Sequence, residues 1–167
     1  MALIDSRAQI IDDVWSYPDP AGETRLQRNQ VLPLDQLVAL GAEPHGIRPI
    51  GVHTPAGTTA EQLSPYLGWL DLIAVEFPKF RDGRGFTLAR TLRSKLGFKG
   101  DIRAVGHVLP DQFAALVQCG ISSILLPTDH PPEQWMQTES PGARQHAGPL
   151  LQRLLRAQST SIDQAES

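Results

Sequence analysis

Residues 73–93 read Ile-Ala-Val-Glu-Phe-Pro-Lys-Phe-Arg-Asp-Gly-Arg-Gly-Phe-Thr-Leu-Ala-Arg-Thr-Leu-Arg. An apolar strand runs into a loop that holds Lys79, Arg81, Asp82, Gly83, Arg84 and Gly85, and a helix follows at once. The strand ends a near-continuous apolar run from Leu70 to Phe77, the pattern of a strand buried on both faces. In the helix Phe86, Leu88, Ala89, Leu92 and Leu96 form one apolar face, and Gly97 supplies the usual C-terminal stop. A strand, a charged glycine loop and a helix together place backbone N–H groups and cations where an anion could bind.

The same alternation extends in both directions. Upstream, Val31-Leu32 reads as a short strand and Leu34 to Leu40 as a short helix ended by Gly41. Pro49 to His53 is a second short strand, and Thr58 or Thr59 caps a helix to about Leu67. Downstream, Asp101 to Val105 is a strand and Pro110 to Cys119 a helix closed by Gly120. Ile121 to Leu126 is the last strand. Strands alternating with helices of about ten residues predict an α/β fold. Its parallel sheet has about four to five strands joined by βαβ crossovers, either open or curved like half a barrel. An N-terminal β-hairpin is expected over residues 2–17, turning at Ser6-Arg7 and ending before the breaker Pro18-Asp19-Pro20-Ala21-Gly22.

One domain is expected over residues 1–157, with the βα core at 31–126. Residues 128–146 read as an irregular connection and 148–157 as a C-terminal helical segment, strongest at Leu150 to Leu155. The polar tail 158–167 is expected to be disordered. At 167 residues, with 41% hydrophobic and 20% charged residues, one core suffices without a disulfide or metal. A net charge of −3 argues against nucleic acid as a partner. No run of about 18 apolar residues suggests a membrane span. The single Cys119 and the lack of a signal pattern suggest the cytoplasm.

Phe77-Pro78-Lys79-Phe80, Asp82 to Gly85, Ala89-Arg90, Gly100, Ile102 to Gly106, Asp111-Gln112 and Cys119-Gly120 form a long composite pattern. In these positions the chain resembles the bacterial family called domain of unknown function 934, most closely over residues 70–126. That family carries the label of a probable oxidoreductase involved in sulfite reduction. The resemblance implies a place in sulfur assimilation and cysteine biosynthesis, with sulfite reductase or another sulfur-assimilation enzyme as partner. The chain departs from the family pattern at His107, where an aspartate is usual, and at Pro110, where an arginine is common. A function carried by either family residue would be changed here.

Two sets of candidate residues follow. In the loop, Lys79, Arg81 and Arg84 could attract a sulfur oxyanion, a phosphate or a partner's carboxylate, with Gly83 and Gly85 letting backbone approach it. The plainer alternative is that Asp82 caps the helix or grips an arginine while the glycines serve the turn. Three cations within residues 79–84 exceed what a turn needs, which favours binding. Neither a P-loop nor a dinucleotide fingerprint is present.

At the carboxyl ends of the strands fall His53, Glu76, His107 and His130, with Asp129 and Asp111 close by in sequence. His107 or Asp111 could act as acid or base. His53, Glu76, His107 and His130 could in principle hold a metal, but no ligand spacing such as His-Glu-x-x-His supports one, so four separate polar residues is the favoured reading. Cys119, on an apolar helix face, reads as buried and inert. Trp15, Trp69 and Trp135 read as core rather than as a flavin platform. One cysteine cannot form an internal dithiol couple or a four-thiolate cluster site. Intrinsic redox chemistry would therefore need a flavin or metal that no motif advertises. The balance favours an accessory protein of sulfite reduction over a small oxidoreductase or other enzyme with an oxyanion site at the strand ends.

Overall fold

Two short strands open the chain. β1 (Leu3–Asp5) pairs antiparallel with β2 (Ile10–Ile11). Asp5 shapes the turn between them, its Oδ1 accepting the backbone N–H groups of Arg7 and Gln9 at 2.9 and 3.0 Å. The computed structural model describes residues 1–18 and 25–136. The βα alternation then runs β3 (Gln30–Pro33), α1 (Leu34–Leu40), β4 (Ile50–Thr54), α2 (Ala60–Leu63) and β5 (Leu72–Phe77). It continues with α3 (Arg84–Arg90), β6 (Asp101–Gly106), α4 (Phe113–Gln118), β7 (Ser123–Leu125) and α5 (Pro132–Met136). A 3-10 turn extends α2 over Ser64–Tyr66, another precedes α4 at Pro110–Gln112, and α3 widens into a π-helical turn over Thr91–Lys95.

Local chemistry explains several boundaries. Thr59 and Gln62 form a reciprocal capping box at the start of α2. Pro110 opens the turn before α4, a position where its missing N–H costs nothing. Left-handed glycines follow both α1 and the π turn, Gly41 at φ 67° and Gly97 at φ 65°.

The seven strands of the described residues form one sheet in the order β2-β1-β7-β6-β5-β4-β3. β3 to β7 are parallel, while β1 runs antiparallel to β7 with Leu3 opposite Leu125. The expected hairpin is therefore shorter than residues 2–17, and it extends the main sheet rather than standing apart. Its place depends on pairing with a strand some 120 residues away, which no local pattern encodes.

The parallel strands follow chain order with no reversal, so crossovers of one hand put the four helices α1 to α4 on one face. The burial pattern agrees. Leu37, Leu63, Leu92 and Leu116 from the four crossover helices join Val52, Ile73, Ile102 and Ile124 in one core. A strand order without reversal is that of a singly wound sheet, not of a doubly wound one.

The opposite face carries Val31, Leu72, Ala74 and Val105, and it is partly covered by Trp15 and Tyr17. Residues 12–17 leave β2 at one edge of the sheet and reach β3 at the other. There Ser16 N–H donates to Asn29 C=O at 2.8 Å and Ser16 C=O accepts from Val31 N–H at 2.9 Å. Midway, this strap meets Arg103 of β6, which is 3% exposed. The guanidinium donates to Asp13 Oδ1 at 2.9 Å, Tyr17 Oη at 2.6 Å, Asp101 Oδ2 at 2.9 Å and Ser123 Oγ at 3.0 Å. Tyr17 in turn donates to Asp13 Oδ2 at 2.9 Å. Among the described residues no buried side-chain nitrogen or oxygen lacks a partner, as a buried ionic network requires.

Residues 128–146 were expected to be irregular, but α5 lies within them. Trp135 is fully buried, packs edge-on to Phe113 with ring centroids 6.4 Å apart, and donates to His130 C=O at 3.2 Å. Proline density hid a one-turn helix that Pro132 in fact starts. The expected segments 148–157 and 158–167 lie outside the described residues.

Arg103→Ala would leave Asp13 and Asp101 without their buried counter-charge. The expected loss is about 3–5 kcal/mol in urea unfolding, and a loss below about 1 kcal/mol would contradict the network. Burial pushes the Tyr17 hydroxyl up to about 12, against the opposing pull of Arg103. Its stabilising contribution is full below pH ~10 and fades between about pH 10 and 12. Absorbance titration of wild type against Tyr17→Phe should show one phenol resisting ionisation until that range.

Candidate functional site

The loop between β5 and α3 divides into a fixed part and an exposed part. Phe77, at the end of β5, is 1% exposed. Its ring occupies the space beside Gly85, where a Cβ would lie 2.6 Å from a ring carbon. Phe86 then packs edge-on to Phe77 at 5.2 Å between centroids. Gly85 is therefore required by packing, not by a ligand. Gly83 has φ −76° and open space around it, so its conformation makes no demand for glycine.

Asp82 grips Arg84. Its Oδ2 accepts from Arg84 Nη2 at 2.6 Å, and its Oδ1 accepts from Nε at 2.9 Å and from the Arg84 backbone N–H at 3.1 Å. These hydrogen bonds hold the Asp82 carboxyl down at about 2. Asp82 thus serves the helix start and holds the arginine fork. Gln112 Nε2 donates to Phe80 C=O at 2.6 Å and ties the loop to the turn before α4.

On this frame Lys79, Phe80 and Arg81 are exposed. Phe80, at 49% exposure, carries the Arg81 guanidinium 5.3 Å from its ring centroid. Of the three loop cations, Lys79 and Arg81 remain available while Arg84 is engaged. A groove of about 650 Å³ beside Arg84, between α2 and α3, offers threonine hydroxyls. Those of Thr58, Thr59 and Thr87 already bond backbone groups of their own turns.

A separate cleft of about 560 Å³ opens at the carboxyl ends of β4 to β7, on the face away from the helices. His53, Glu76, His107 and Asp129 line it, with Tyr17 and Val105 among its other walls. Sequence reading placed His53, Glu76 and His107 at strand ends, and the fold brings them to one cavity. His53 Nε2 lies 3.7 Å from Glu76 Oε2. His107 is exposed beyond β6, its N–H bonded to Phe77 C=O at 2.7 Å.

His130 is not among the lining residues. Its Nδ1 shares a 2.9 Å hydrogen bond with Gln134 Oε1. Asp111 is exposed at the turn before α4, outside the cleft. Among the described residues no three His, Cys, Asp or Glu side chains come together as metal ligands. Cys119 is buried, with Arg90 Nη2 3.4 Å from its sulfur. Trp69 and Trp135 belong to the core, and Trp15 packs in the strap.

Sequence reading missed Tyr17 and the Asp13–Arg103 pair. The available signal was a lone arginine inside the apolar strand Asp-Ile-Arg-Ala-Val.

Residues 51–146 match the sequence pattern of a family described as Bacterial protein of unknown function (DUF934). No curated protein matches the chain. No helix among the described residues is long and apolar enough to cross a membrane.

The Asp82–Arg84 clamp should persist under mild acid. A depressed carboxyl contributes above its unfolded value near 4, and the contribution is lost as pH falls towards about 2. The Asp82 side-chain carboxyl carbon resonance is expected to titrate near pH 2. A midpoint near pH 4 would contradict the clamp.

Proposed function

We propose that this chain, which belongs to the DUF934 family of bacterial proteins, is an accessory protein of assimilatory sulfite reduction. It docks onto an acidic surface of sulfite reductase through the 77–85 loop. The sulfur context comes from the family resemblance of the loop and its flanks. The observation that carries the docking reading is the exposed trio Lys79, Phe80 and Arg81 on a clamped frame.

An exposed aromatic ring beside an arginine is the composition of a binding hot spot. Lys79 and Arg81 supply charge that would steer and pair partner carboxylates. Asp82 and Gln112 fix the backbone beneath, so little loop entropy is lost on docking.

The loop geometry gives less support to the enzyme reading, in which Lys79 and Arg84 hold an oxyanion while His107 or Asp111 moves a proton. Asp82 already fills the Arg84 fork. Asp111 lies away from the cleft that His107 lines.

Calorimetric titration of the chain with sulfite reductase, at about 50 and 500 mM salt, tests the proposal. Binding should weaken with salt, and Phe80→Ala with Arg81→Ala should reduce affinity at least about 30-fold. No binding at either salt, or binding indifferent to the double substitution, would overturn it.

A further inference from the structure

The strand-end cleft has a chemistry opposite to that of the loop. Its acidic lining side chains are the carboxylates of Glu76 and Asp129, and no lysine or arginine lines it among the described residues. Arg103 shares the face two residues before Val105, but Asp13, Tyr17, Asp101 and Ser123 take its N–H groups. Met1 also lines the cleft, and among the described residues its amino group makes no ion pair with either carboxylate.

Among the described residues the one basic side chain within ion-pair distance of Glu76 is His53, and the 3.7 Å between Oε2 and Nε2 is too long for a hydrogen bond. That gap suits a shared donor. One ammonium group between them can donate to Oε2 and, in the Nδ1–H tautomer of His53, to Nε2. Asp129 adds negative charge on the β7 side, its only ion-pair neighbour among the described residues being His130 at 3.9 Å.

The rest of the wall accepts carbon. Val105, Leu125 and Pro127 line the cleft. Tyr17, whose hydroxyl is committed to Asp13 and Arg103, offers its ring. A cavity of this size with two carboxylates, no lysine or arginine and an apolar wall repels oxyanions and favours a cation with an apolar body. We propose that the cleft binds a small organic cation, a primary or secondary ammonium on an apolar body, held between Glu76 and His53. The site is independent of the docking loop and unsuited to sulfite.

A matched set of probes isolates the charge: benzylamine, benzyl alcohol and benzoate, with sulfite as a fourth. Each is titrated into the full chain at pH 8 while the ring resonances of His53 and His107 are followed by NMR. Benzylamine should shift them saturably, at least about tenfold more tightly than benzyl alcohol. Benzoate and sulfite should leave them unmoved.

Glu76→Gln should weaken benzylamine about tenfold, and Asp129→Asn by less. Using both variants guards against one that fails to fold. The Phe80→Ala, Arg81→Ala chain should bind benzylamine like wild type, so failure of docking and failure of this site are distinguishable. Benzoate or sulfite binding as tightly as benzylamine, no response to any probe, or a Glu76→Gln chain with unchanged affinity would each overturn the proposal.

Discussion

A guanidinium in the middle of a sheet must find acceptors on every side, and Arg103 finds them in parts of the chain far apart in sequence. Asp101 and Ser123 come from its own strand and its neighbour, while Asp13 and Tyr17 come from the strap. Asp101 is held in turn by hydroxyls from Ser122 and Ser123 at 2.6 and 2.8 Å. A buried charge stripped of its partners is costly, so the network fixes where residues 12–17 cross the sheet. That crossing partly covers the open face with Trp15 and Tyr17. Among the described residues the cleft opens beyond it, at the carboxyl ends of β4 to β7.

The second constraint is Phe77. Its ring excludes a Cβ at position 85 and its carbonyl excludes one at position 106, where the contact would be 2.6 Å and φ is 99°. Substituting either glycine would push β5 away from α3 or from β6. Phe77, Gly85 and Gly106 are therefore explained by packing alone, and Asp82 and Arg84 by the clamp. What packing leaves unexplained is Lys79, Phe80 and Arg81, and these carry the docking proposal. Loop and cleft differ in sign: cations project from one, and carboxylates line the other.

Much of this fold was legible in the sequence because its signals are local. Apolar runs, the Thr59 cap and the glycine stops at 41 and 97 each act within a few residues. The winding was legible only as two alternatives, since strand order is set by tertiary packing. The strap was not legible: residues 12–17 carry no period, and the arginine they meet lies 86 to 90 residues away. The pairing of β1 with β7 was not legible for the same reason. In the site, strand-end position puts His53, Glu76 and His107 on the wall of one cleft, while His130 and the helix-start Asp111 lie outside it. Loop paths beyond a strand depend on packing, here on Trp135 drawing α5 into the core. Counting loop cations overstated their availability, because a side-chain clamp between residues 82 and 84 does not show in composition.

Hydrogen–deuterium exchange of the full chain, alone and saturated with sulfite reductase, tests most directly the claim that the two surfaces have separate roles. The account predicts slowed exchange in peptides covering residues 77–85 and unchanged exchange at 104–109 and 127–130. Protection at the cleft peptides with an unchanged loop would contradict it.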